Sequence, residues 1–202
     1  MPKSLTNLLK NSKTKIRNSL LGLTTGAMIF GGALGLGNNA YGQDFAKHII
    51  ASNFNGAHSV SAVDIDNDGD MDVLAAAYYS DQIAWWENNG AQNFEYHLVD
   101  GTFNEVGQVL AADIDNDGDI DILGASHLAD QIAWWKNDGN QNFTKHIVDN
   151  TFDYAHSIFA VDIDGDGDID IIGAAVYGDQ IALWDNDCNE NFTSSGISSL
   201  LL

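Results

Sequence analysis

Cysteine is nearly absent from this chain. Cys188 stands alone, so no disulfide can close within the molecule in any redox compartment, and some other device must staple its loops. Proline is equally scarce, with Pro2 the single example, so the turns depend on clusters of Gly, Asn and Asp. Positive charge is missing from almost the whole length. Of eight basic residues, Lys3, Lys10, Lys13, Lys15 and Arg17 crowd the N-terminus, leaving three against 29 acidic residues beyond position 42, a formal charge of −26. Such a chain is repelled by phosphate backbones and anionic lipid, which argues against nucleic acid and bare membrane surfaces as partners and in favour of cations. Also missing are a catalytic triad motif, a nucleophile elbow and a mixed His/Asp site with an open coordination position, so no enzymatic activity is expected.

The five N-terminal basic residues precede an apolar, acid-free stretch from Ser19 to Gly37, the order of a secretory signal peptide. Ala40-Tyr41-Gly42 offers the small residues of a cleavage site. Residues 1–42 are therefore expected to be removed, leaving a product that is secreted or held at a bacterial cell surface with no membrane span. The alternative is an uncleaved anchor, although six glycines dilute the stretch. No cysteine lies in it, which excludes lipid attachment there.

The remainder, 43–202, is one unit used repeatedly. Asp64, Asp113 and Asp162 open the same phrase 49 residues apart, and Phe45, Phe94 and Phe143, His48, His97 and His146, Asp81, Asp130 and Asp179, and Trp86, Trp135 and Trp184 keep that spacing. The units run 44–92, 93–141 and 142–190, and a partial fourth begins at 191. Short Val/Ile/aromatic runs between Gly/Asn/Asp clusters read as strands; in the second unit they fall near Phe94–Val99, Gln108–Ile114, Asp121–Ser126 and Gln131–Lys136. Four strands per unit suggest a blade, and runs such as Ile132-Ala133-Trp134-Trp135 are apolar on both faces, as sheets packed face to face require. The expected fold class is all-β, with four-stranded antiparallel blades of propeller type.

Each unit carries nine residues of the form D-x-D-x-D-G-D-x-D: Asp64, Asp66, Asp68, Asp70 and Asp72; Asp113, Asp115, Asp117, Asp119 and Asp121; Asp162, Asp164, Asp166, Asp168 and Asp170. Five carboxylates so close repel one another, and a hard divalent cation held by oxygens is the usual remedy. The spacing fits calcium, about one ion per repeat. Positions 1, 3 and 5 point inward as the chain curls, Gly at position 6 permits the turn, position 7 offers its carbonyl and position 9 closes the shell. An EF-hand is excluded because its position 12 holds Ala75, Gly124 and Gly173 rather than Glu and a strand follows; magnesium suits such a cage less well.

The phrase D-I-D-N-D-G-D-I-D-I-L-G-A, followed by D-Q-I-A-W-W-K-N-D-G-N-Q-N-F, resembles the FG-GAP/VCBS repeat over most of 44–192. The resemblance implies a β-propeller blade, as in integrin α-chains and many secreted bacterial proteins, with calcium in the hairpin between two blade strands. It implies ligation by the side chains at loop positions 1, 3, 5 and 9 and the carbonyl at 7.

Other recurring residues read more plainly as structure. His48, His97 and His146 sit mid-strand among apolar neighbours. His58 and His156 match, but Gly107 breaks that ring. Leu183 replaces the first Trp of the Trp85-Trp86 and Trp134-Trp135 pairs, a swap of core volume rather than of a sugar platform. Ligand contacts are better sought where units differ: Tyr78-Tyr79-Ser80, His127-Leu128-Ala129 and Val176-Tyr177-Gly178, with Asn53–Gly56, Phe103–Glu105 and Phe152–Tyr154. The leading expectation is a binding or adhesion module for an extracellular glycan or protein. The alternatives are a fragment or appendage of a secreted carbohydrate-active enzyme and a structural spacer. Three blades are too few to close a propeller, so self-association or further blades are expected.

Overall fold

The computed structural model describes residues 46–91, 93–187 and 191–196. The expected signal peptide and Cys188 lie outside the described residues. All strands fall within a unit spanning His48–Leu202. β1 (Ala57–Val63), β2 (Asp72–Ala77), β3 (Gln82–Asn88) and β4 (Phe94–Asp100) form one sheet. β5 (Val106–Ala112), β6 (Asp121–Ser126), β7 (Gln131–Asn137) and β8 (Phe143–Asp149) form a second, and β9 (Ala155–Val161), β10 (Asp170–Ala175), β11 (Gln180–Asn186) and β12 (Phe192–Gly196) a third. Each is an antiparallel meander in chain order, and the one helical element among the described residues is a single 3-10 turn, Tyr78–Ser80. The protein is thus all-β, built of propeller-type blades in an array that does not close among the described residues.

The sheets are out of phase with the sequence units by one strand. Phe94–Asp100, which opens the second unit, is the outer strand of the first sheet, and Phe192–Gly196 completes the third. The crossing to the next sheet comes after this strand, where Phe103 and Phe152 plug between sheets at 1% and 3% exposure. Left-handed Asp81 and Asp130 clip each crossing: their carbonyls accept from Phe103 N and Phe152 N, and their carboxylates accept from Glu105 N and Tyr154 N, both at 2.8 Å.

β5 begins two residues earlier than the sequence suggests. Val106 is already paired, with a bulge before Gln108, while Asp113 and Ile114 belong to the turn. Ile114 looked like strand because it is apolar, but its buried side chain pins the acidic loop to the core. β1, β5 and β9 lie side by side as the inner strands. The Ser59 hydroxyl donates to Val109 O and accepts from Val109 N, and Gln108 Nε2 donates to Ile158 O while its Oε1 accepts from Ile158 N.

Apolar residues on both faces of the sheets make two inter-sheet cores. Leu74, Ile83 and Trp85 meet Val109, Ile122 and Trp135, while Leu123, Ile132 and Trp134 meet Ile158, Ile171 and Trp184. Phe54, Phe103 and Phe152 each set their ring edge-on to Trp86, Trp135 and Trp184, with centroids 4.8–5.0 Å apart. His97 and His146 stack on Trp85 and Trp134, and His97 also lies within ligand spacing of Glu87 and Glu95. Leu183 stands on the face of the third sheet that no other sheet covers among the described residues, where Phe159 and Ile181 are 62% and 67% exposed; the opposite end leaves Val60 72% exposed.

Candidate metal centre

The nine-residue acidic phrases form the turns β1–β2, β5–β6 and β9–β10. Two positions in each must take a left-handed backbone. Position 4 is Asn67, Asn116 or Gly165 (φ 60, 59 and 83), and position 6 is Gly69, Gly118 or Gly167 (φ 97, 95 and 102). These residue types enter that region at low cost, so the curl is written locally.

The curl is held by the carboxylates themselves. The first Asp of each loop, Asp64, Asp113 or Asp162, accepts from the Gly amide at position 6 at 3.0–3.2 Å. The third-position carboxylates accept from the amide two residues on, at 3.1–3.3 Å. Asp68, Asp117 and Asp166 do the same at 2.8–3.0 Å.

The ninth position is different in kind. Asp72, Asp121 and Asp170 are buried, and each accepts two backbone hydrogen bonds, one from Ile65, Ile114 or Ile163 and one from Asn88, Asn137 or Asn186, all at 2.8–3.0 Å. These asparagines had no assigned role in the sequence, although their 49-residue spacing was visible. Their side chains donate to the carbonyl of Met71, Ile120 or Ile169, so each Asn holds its acidic turn against the sheet twice.

In every loop the oxygens of positions 1, 3 and 9 lie within 4.8 Å of one another: Asp64, Asp66 and Asp72; Asp113, Asp115 and Asp121; Asp162, Asp164 and Asp170. The fifth- and seventh-position side chains stand outside these groups. Asp70 and Asp119 lean on Gly90 and Gly139, while Asp168 accepts from Asn116 of the neighbouring loop at 3.1 Å. A cation suits the groups, because they contain only carboxylate oxygens and Asp113 Oδ1 is buried without a hydrogen-bond partner. Oxygen-only donors favour a hard divalent ion over zinc or copper.

The three loops are not equivalent. The Lys136 ammonium pairs with Asp115 and lies 3.9 Å from Asp117, whereas the matching positions hold Glu87 and Asp185. An entering cation must displace this resident charge. Lys136→Gln is therefore expected to tighten binding at the second loop by about tenfold, equivalent to about 1.4 kcal/mol, as read by calorimetric titration.

Burial, joined by repulsion from Asp115 and Asp117, outweighs two backbone hydrogen bonds and pushes the Asp121 carboxyl up to about 7. Without a cation, the folded chain therefore keeps a proton that the unfolded chain has lost between about pH 4 and pH 7, and stability falls as pH rises through that window. Ion-free protein is expected to melt higher at pH 4.5 than at pH 7.5, and a saturating cation, which needs the carboxylates ionised, should reverse the order.

Comparison with curated proteins finds no significant match. The sequence model of one family, the FG-GAP-like repeat, matches residues 64–124 and 113–173, which together span more than half of the chain. Both matches run from the first Asp of one acidic turn through the remaining three strands of its sheet and the first strand of the next, into the strand after the next acidic turn. On this match, and on the three blades that carry it, the chain belongs to the FG-GAP-like repeat family.

Proposed function

We propose that this protein is an exported, calcium-loaded propeller-repeat module that binds an extracellular glycan or protein with the loops of one face. The observation that carries the reading is the oxygen-only cluster repeated on the same turn of three successive sheets. Calcium takes six to eight oxygens in a flexible shell, which the clustered carboxylates, a seventh-position carbonyl and water can supply. Bound there, the ion neutralises the acidic turns and fixes the inner ends of the blades.

Membership of a repeat-module family supports binding rather than catalysis, and the N-terminal basic and apolar segment supports export. Calcium titration of single variants tests the site assignment. Asp66→Ala and Asp115→Ala should each lose about one equivalent of calcium, while Asp81→Ala, whose carboxylate clips the inter-sheet crossing, should lose none. Full stoichiometry in both loop variants would remove these turns as the calcium sites.

A further inference from the structure

One cluster of side chains belongs to the first sheet alone. Glu87 and Glu95 face each other across β3 and β4, and Trp85 faces His97 on the same pair of strands. Strand alternation sets all four on one face of the sheet. Glu87, Glu95 and His97 each bring a ligand atom to within 4.8 Å of the other two. The sequence hides this group, because Glu87 meets Glu95 and His97 only when the β3–β4 hairpin closes.

The repeat itself does not require the group. His146 stacks on Trp134 at 4.9 Å much as His97 stacks on Trp85 at 4.5 Å, yet Lys136 and Thr144 stand where the first sheet has Glu87 and Glu95. In the third sheet the matching residues are Asp185, Thr193 and Ser195. Stacking on a core tryptophan therefore explains a histidine at this place but neither glutamate. Like charges directly opposite on paired strands are destabilising, and the two lysines of the second sheet are engaged at Asp115 and Asp100. A cation shared by Glu87 and Glu95 removes that repulsion.

The imidazole is placed to complete such a site. Its Nε2 lies 3.0 Å from Glu87 Oε2 but out of hydrogen-bonding alignment, so this buried nitrogen has no hydrogen-bond partner. A simple charge-assisted bond would aim the N–H at the oxygen. Ligands of one ion instead aim at a common point: at about 2.0–2.1 Å from a tetrahedral zinc, neighbouring donors stand about 3.3 Å apart. Trp85 fixes the plane of the ring. Glu87 is 32% exposed and Glu95 is exposed, so both carboxylates can swing onto an entering ion, Glu87 moving from where it lies against Nε2.

The donor set separates this group from the acidic turns. Calcium and magnesium take oxygens, whereas an imidazole with two carboxylates suits zinc, with water in the fourth position.

We propose that Glu87, Glu95 and His97 form a zinc site on the first sheet, distinct from the acidic turns. Untagged protein, with calcium in excess to keep the turns filled, should be titrated with zinc by calorimetry. It is expected to take up about one equivalent per chain. His97→Phe, which keeps the stack on Trp85, and Glu95→Gln, at an exposed position, should each weaken zinc at least about a hundredfold, because loss of even an outer-shell partner costs about ten- to a hundredfold. His146→Phe, the same change in the second sheet, should leave zinc binding as it was. In proton–nitrogen spectra of the imidazoles, zinc should shift the His97 Nε2 resonance and leave those of His146 in place.

A protein that takes up no zinc overturns the proposal and leaves Glu87 and His97 as a plain ion pair. Zinc binding that persists undiminished in both His97→Phe and Glu95→Gln also overturns it.

Discussion

Removing calcium with a chelator at neutral pH is expected to lower the melting temperature by roughly 15–30 °C. The estimate comes from linkage: an ion that binds only the folded chain adds about 2.7 kcal/mol per site at a hundredfold excess over Kd, or about 8 kcal/mol for three sites. For a unit of this size each kcal/mol moves the midpoint by about 2–4 °C, and total stability is only about 5–15 kcal/mol. Little else can compensate, since fifteen loop carboxylates share a chain that has three basic residues beyond position 42. Lys136 relieves part of the repulsion in the second loop, so that site contributes least. Coincident melts with and without chelator would show that the turns stand without an ion.

Trp135→Ala is the substitution expected to cost most among those outside the acidic turns, about 3–5 kcal/mol. The indole is 1% exposed between the first and second sheets, edge-on to Phe103 and across from Trp85. Its loss opens a cavity bounded by two rigid sheets, which cannot collapse to refill it. Leu183→Ala supplies the internal comparison. It stands where Trp85 and Trp134 face a following sheet, but among the described residues no sheet covers it, and its truncation should cost about 1 kcal/mol or less. Urea midpoints of the two variants test this, and equal losses would contradict the stacked-sheet core.

The 49-residue period made the strands, the acidic turns and the inter-sheet tryptophans legible, because each rests on local chemistry repeated in register. Phase was harder. Nothing local in Phe94–Asp100 says whether it pairs with the strand before it or opens the next sheet; buried Phe103 decides, by crossing to the next sheet just after it. Comparing only equivalent positions also hid how His58, His127 and His156 meet. Gly107 looked like a broken ring because the residue that fills it, His127, comes from another turn of the same repeat. The asparagine clamp and the Lys136 counter-ion were visible as letters, but their contacts to Asp121 and Asp115 depend on how β7 lies against the preceding acidic turn.

The central claim is that the three acidic turns are calcium sites that hold the blades together. Calorimetric titration of the ion-stripped protein with calcium, repeated with magnesium, tests it most directly. The account predicts about three equivalents of calcium per chain, the second loop weakest because Lys136 must be displaced, and markedly weaker binding of magnesium. No measurable calcium binding, or equal affinity for the two ions at fewer than one site per chain, would contradict it.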